Sequence, residues 1–170
     1  MDITELILND HHEQRRMFAM LDDLHDSDTT ALKAVWERLQ ILLEVHAAAE
    51  EALFYPRLLE LGTGAGSKDS ADAETRDAIH DHNDIRDAIS EVTKQSAGSA
   101  SWWKAIAKAR EANSDHMGEE ERESLADFRR HADLQLRHEI GVAFAAFEAQ
   151  HAGGIDAKDK DPEIYIADHR

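Results

Sequence analysis

Polar residues interrupt the apolar stripes of this chain at repeated places. Ile3, Ile7, His11, Gln14, Phe18 and Leu21 share one face at helical spacing, which predicts a helix from about residue 3 to residue 24. Asp2, with Glu5 three residues on, resembles a capping box at its start. A second stripe, Leu32, Val35, Leu39, Leu42, His46, Glu50 and Leu53, predicts a helix that Asp28 or Thr29 caps and Pro56 ends or kinks. Thr75, Ile79, His82, Ile85, Ile89 and Val92 predict a third, over about 73–94. Trp102, Ile106, Ala109, Asn113, His116 and Glu120 predict a fourth, over about 101–129.

The glycine-rich stretch from Gly62 to Ser67 reads as a flexible loop, the most mobile segment expected. A fifth helix, about 133–150, carries Leu134, Ile140, Phe144 and Phe147, and Gly153–Gly154 stops it. The tail beyond is charged, and Ile164, Tyr165 and Ile166 are the residues able to pin it to a surface. Long amphipathic helices joined by short loops predict an all-α fold. The expected form is an antiparallel up-down-up-down four-helix bundle over residues 1–131, with the C-terminal helix and tail of 132–170 packing on it.

Composition narrows the chemistry. Eight Gly, two Pro and an abundance of Ala, Glu and Leu favour helix over sheet. A net charge of −17 argues against nucleic acid or an anionic membrane as partner. No apolar run is long enough to span a bilayer. The start, Met1–Asp2–Ile3–Thr4–Glu5, has no signal-peptide pattern, so a cytoplasmic protein is expected. With no Cys, thiol catalysis, disulfides and iron–sulfur clusters drop out. Eleven His in 170 residues is the oddity that remains.

Those histidines follow a repeat. In His46-Ala-Ala-Ala-Glu50 and in His116-Met-Gly-Glu-Glu120, a His and a Glu stand four apart. On a helix that is one turn, roughly 6 Å of rise, so both side chains leave one face. Each segment is preceded by the pattern Asp-His-x-acid-x-Arg, first as Asp10-His11-His12-Glu13-Gln14-Arg15 and again as Asp81-His82-Asn83-Asp84-Ile85-Arg86. Seventy-one residues separate His11 from His82, and 70 separate His46 from His116, so one helical hairpin is used twice. In an up-down-up-down bundle, His11, His46, Glu50, His82, His116 and Glu120 converge on one layer. Burying two carboxylates and four imidazoles costs several kcal/mol unless they are paired. One or two metal ions supply the missing charge, and imidazole with carboxylate suits iron, manganese or zinc. The simplest division gives His11 and His46 to one ion and His82 and His116 to the other, bridged by Glu50 and Glu120.

The order His, His-x-x-x-Glu, His, His-x-x-x-Glu resembles the hemerythrin-like HHE cation-binding domain, over about residues 3–130. Asp10-His11 with Arg15-Arg16-Met17-Phe18, and His46-x-x-x-Glu50-Glu51 with Phe54-Tyr55-Pro56, match its signatures. The resemblance implies a non-haem di-iron four-helix bundle holding two iron ions with an oxo or hydroxo bridge. Arg137-His138-Glu139-Ile140-Gly141 with Phe144 and Phe147 further resembles the mycobacterial hemerythrin-like subgroup, which is associated with catalase-type activity. The oxygen-carrying hemerythrins use five His, two of them four apart on the third helix. Here the residues at that spacing from His82 are Ala78 and Arg86. About two of roughly twelve coordination positions on an octahedral pair then stay open. They are available to water, Tyr55, Glu51, Glu119 or a small oxidant.

The expected function is therefore decomposition of hydrogen peroxide to O2 and water, with Glu50 and Glu120 as the bridging acids and Tyr55 as a phenol near the metals. The alternative is a module that binds O2 or NO, or that senses or stores iron. Tyr55 lies off the ideal stripe, so simple packing beside Pro56 also accounts for it. Glu51, Glu119 and Glu121 read as solvated, as partners of Arg15, Arg16 or Arg86, or as acceptors for a ligand imidazole. His12, His80, His131, His138, His151 and His169 read as surface residues, and His25 as a partner of the dipole at the end of the first helix.

Overall fold

The computed structural model describes residues 1–170 and is helical throughout, without strands. Four long helices form the bundle: α1 (Ile3–Asp23), α2 (Thr29–Ala49), α4 (Ala71–Thr93) and α5 (Ala100–Arg122). Each starts on a side chain that accepts an orphan amide, Asp2 from Thr4, Asp28 from Ala31, Ser70 from Ala73 and Ser99 from Trp102. Contacts between helices fix the antiparallel sense. Asp10 meets His46 while Glu13 meets Arg38, and His11 meets Glu121 while Asp22 meets Arg110.

Two apolar clusters fill the bundle, one at each end. Ile3, Ile7, Phe54, Leu58, Ile79 and Phe128 anchor one; Phe18, Leu21, Leu39, Ile89, Trp102 and Ile106 anchor the other. The polar interruptions of the four stripes lie between them as a buried layer. On α2 the inward face differs from the expected one. Val35, Leu42 and Leu53 are only half-buried, while Trp36, Leu43 and Phe54 are inside.

The shift past Glu50 has a local cause. Residues Glu50–Phe54 form a π-helical turn, in which the Tyr55 amide bonds the Glu50 carbonyl. One extra residue per turn re-phases the chain, so Tyr55 rather than Phe54 stands above Glu50. The chain continues into α3 (Tyr55–Leu61) with Pro56 in its first turn, where a missing N–H is tolerated.

Three other segments depart from expectation. The fourth helix does not run on to residue 129. It breaks at Glu123 (φ −114°, ψ −84°) and restarts as α6 (Ser124–His131). The loop after α3 is tied down, because the Asp127 carboxylate accepts from the Thr63 and Gly64 amides, Glu74 from Ala65 and Glu123 from Ser67. That anchoring replaces the mobility expected of its glycines, and Gly64 and Gly66 use their positive φ to make the bend. The tail holds a short helix, α8 (Pro162–His169), begun by Asp161, with Tyr165 and Ile166 buried and Ile164 exposed. Between them α7 (Leu134–Gln150) lies across α1 and α2, placing Phe144 against the His46 ring. No helix is long and apolar enough to cross a membrane.

Candidate metal centre

The six side chains on the inward stripes of α1, α2, α4 and α5 meet in one layer. His11, His46, Glu50, His82, His116 and Glu120 are each 3% exposed or less. The His11 and His46 rings are 5.2 Å apart, and the His82 and His116 rings 4.6 Å. Glu50 spans the two pairs. Its Oε1 lies 2.9 Å from Nε2 of His46, and its Oε2 lies 3.2 Å from Nε2 of His82 and 4.0 Å from Nε2 of His116. Glu120 turns Oε2 toward Nε2 of His11, 3.3 Å away.

The donors fall into two groups able to hold a cation: His11, His46, Glu50 and Glu120, and Glu50, His82 and His116. Glu50 belongs to both. Glu120 belongs to the first alone, because its Oε1 accepts the Tyr55 hydroxyl at 2.6 Å. The structure thus differs from an arrangement in which both acids span the pair, and the cause is the phenol that the π turn brings over the site.

Each imidazole is oriented from behind. The Nδ1–H of His11 faces Glu121 at 3.0 Å, that of His46 faces Asp10 at 3.1 Å and that of His82 faces Glu51 at 2.8 Å. Nδ1 of His116 lies 3.5 Å from Asp81. A proton on each Nδ1 leaves every Nε2 as a lone pair aimed into the layer, which is how metal-ligating histidines are commonly held. Of these four acids, sequence reasoning singled out Glu51 and Glu121 only as one of several roles and missed Asp10 and Asp81. The signal was present, since Asp10 and Asp81 open the repeated motif and Glu51 and Glu121 each follow a Glu of the layer.

The layer lacks positive charge. Nε2 of His11 and of His46, both oxygens of Glu50 and Oε2 of Glu120 are buried without a hydrogen-bond partner. Burial would push the imidazoles down, yet the Glu50 carboxylate and Asp10 raise His46 well above its ordinary value. Glu50 and Glu51 likewise lift His82 to about 9 against the pull of burial. Bare, the site would recruit protons to offset its acids; a cation at the Nε2 atoms does the same task and releases them. The donors fit a hard or borderline metal ion such as iron.

Tyr55 is buried, and burial together with the Glu120 and Glu50 charges raises its hydroxyl well above the ordinary phenol range. It is a neutral donor here. Glu51 is nearly as buried. Burial alone would raise it, but the His82 hydrogen bond and the Arg86 and Lys160 cations hold it at about 2. Glu119 stands 44% exposed near Lys68, and His80 is exposed beside Asp84, so neither reaches the layer.

A narrow cleft runs from the surface to this layer. Lys68, Asp77 and Glu119 lie at its exposed end, and His116 and Glu120 at its buried end. Asp81, Glu74 and Glu123 add further acids to its walls.

Comparison with curated proteins and with solved structures returns no match. The family model of the hemerythrin HHE cation-binding domain, in contrast, matches residues 2–128. That span covers all four long helices and every donor of the layer. With a paired set of buried His and Glu on four antiparallel helices, the chain belongs to the hemerythrin HHE cation-binding family, whose domains bind metal ions, usually iron, and small ligands such as O2.

Proposed function

We propose that the chain holds two iron ions and decomposes hydrogen peroxide to O2 and water. His11, His46, Glu50 and Glu120 would hold the first ion, and His82, His116 and Glu50 the second. An iron pair supplies the reversible two-electron chemistry that peroxide disproportionation needs. Manganese and zinc are the next candidates by ligand type.

The observation that carries this reading is the asymmetry of the donors. The first group has four residues and the second only three. The residues four before and four after His82 are Ala78 and Arg86, and Arg86 is turned away to Glu51 at 2.5 Å. The second position is therefore the more open one, and the cleft ends at its His116 and at Glu120 of the first group. An open site supports turnover of a small oxidant over tight, reversible holding of O2.

The cleft supports an uncharged substrate. Its walls carry five carboxylates against one ammonium, with Glu74 holding its proton near neutral pH, so an anion is repelled while neutral peroxide is not. Oxidation of one peroxide to O2 releases two protons and reduction of the next to two waters consumes two; Tyr55, 2.6 Å from Glu120 Oε1, would lend its proton in the second half and regain one from the first. Glu50 lies between the two groups and would keep the cations at a constant spacing. The apolar clusters above and below exclude bulk water from the layer.

The test is O2 evolution on adding peroxide to the purified, iron-loaded protein. The expected result is release well above that of free iron, abolished by His46→Ala. Release no greater than free iron, or full activity in His46→Ala, defeats it. A stable, reversible colour change of the reduced protein with O2, without gas evolution from peroxide, would mark a carrier instead.

A further inference from the structure

The two hairpins use their outer acids in the same way, with one exception. Glu121 holds His11 and is paired with Arg15; Glu51 holds His82 and is paired with Arg86. Only Glu51 receives a second cation, Lys160, at 2.6 Å. Lys160 comes from the tail, outside the span that matches the family.

Three contacts hold that lysine, two from Asn83 on α4 and one from Tyr165 in the tail. Asn83, the residue after His82, donates its amide to the Lys160 carbonyl at 2.8 Å and accepts the Lys160 N–H at 3.0 Å. The ammonium sits 5.6 Å from the centre of the Tyr165 ring, within cation–π range. The Tyr165 hydroxyl donates to the Glu51 carbonyl at 2.5 Å. That carbonyl needs an outside donor. The Tyr55 amide is spent on Glu50, and Pro56, next along the π turn, has no N–H.

We propose that the tail, through Lys160 and Tyr165, positions Glu51 and thereby sets how strongly His82 donates to the cation it would hold. The inference rests on the metal-site reading above. Glu51 is an acceptor-only group, nearly excluded from water, facing the Nδ1–H of His82. Two cations share its charge. With Lys160 gone, the remaining carboxylate charge draws harder on that proton, and the imidazole becomes more electron-rich at Nε2. A more electron-rich ligand favours the oxidised metal. Tyr165 has the separate task of closing the π turn that carries both Glu50 and Glu51.

The experiment uses the full chain, iron-loaded, as wild type, Lys160→Met, Lys160→Arg and Tyr165→Phe. Lys160 is 40% exposed, so its variants keep the fold. Lys160→Met should shift the reduction potential to more negative values, and Lys160→Arg should return it toward wild type. Tyr165→Phe should speed amide exchange in residues 50–55 by about tenfold, with α2 unchanged. A potential identical in Lys160→Met and wild type overturns the inference, as does unchanged exchange in Tyr165→Phe. Wild-type protein that takes up no iron defeats the metal-site reading itself, while the exchange measurement still reports on the tail.

Discussion

Asp10 precedes His11 in sequence, yet it places its carboxylate on Nδ1 of His46, 3.1 Å away on the next helix. Asp81 does the same one repeat later, standing before His82 and facing His116. The acids that follow Glu50 and Glu120 cross the other way. Glu51 reaches from the first hairpin to His82 in the second, and Glu121 from the second to His11 in the first. Arg15 and Arg86, four residues after those histidines, close on the same two acids. The motif Asp-His-x-acid-x-Arg thus encodes one imidazole, a brace for a neighbouring imidazole and a clamp for the acid behind its own.

If the crossed acids orient the imidazoles, removing one should weaken metal binding without unfolding the bundle. Asp10→Asn and Glu121→Gln should each lower iron affinity about 10–100-fold. Competition against a chelator measures it. Affinity unchanged in both variants would mean that the acids serve packing alone.

Glu50 and Glu120 should not be equivalent. Glu50 belongs to both donor groups and Glu120 to one. Glu50→Ala should strip iron from both positions, whereas Glu120→Ala should leave the His82–His116 position occupied. Metal content after gel filtration separates the two cases. Equal loss in both variants would show that the acids bridge symmetrically.

Tyr55→Phe removes the hydroxyl and leaves Glu120 Oε1 without its donor. The expected cost is about 1–3 kcal/mol of stability. Iron content should persist while O2 release from peroxide falls, since the held proton is gone. Loss of stability with turnover intact would assign Tyr55 to packing alone.

Glu74 gives a pH dependence away from the ligands. Burial and the neighbouring Asp127 and Glu123 charges raise its carboxyl from about 4.5 to about 8, against the Ala65 amide that favours the ionised form. Below about 4.5 folded and unfolded chains both hold the proton, and Glu74 adds no pH dependence. Between about 4.5 and about 8 the unfolded chain has released it while the folded chain keeps it, so stability falls as pH rises. Above that window the fold carries the buried charge. Glu74→Gln, whose amide can still accept from Ala65, should be more stable than wild type by ~2 kcal/mol or more at pH above about 8. The gap should close toward pH 4.5. Melting curves of both proteins across pH test it, and parallel curves would contradict it.

The four bundle helices were legible because each presents an amphipathic face with the helical period, and the stripes of α1, α4 and α5 are buried as read. The layer was legible because His and Glu replace apolar residues at matching heights in two hairpins. The π turn was not, because a shift in hydrogen-bond register leaves no mark in composition; Pro56 alone hinted at it. Hence Tyr55 stood off the ideal stripe although it points at Glu120. The break at Glu123 escaped for a similar reason, since its neighbours all suit a helix and the loop amide of Ser67 claims its carboxylate. The tail lacked a periodic stripe long enough to read. Its anchors, Lys160 and Tyr165, act through single hydrogen bonds to a distant part of the chain.

The central claim is that the buried layer of His and Glu grips a pair of iron ions. Elemental analysis of protein produced with ample iron, read with its absorption spectrum, tests it most directly. The expected result is close to two irons per chain, as two donor groups sharing Glu50 require, with near-ultraviolet bands of an oxygen-bridged ferric pair. Protein that comes out folded and free of metal, with no such bands, would contradict it.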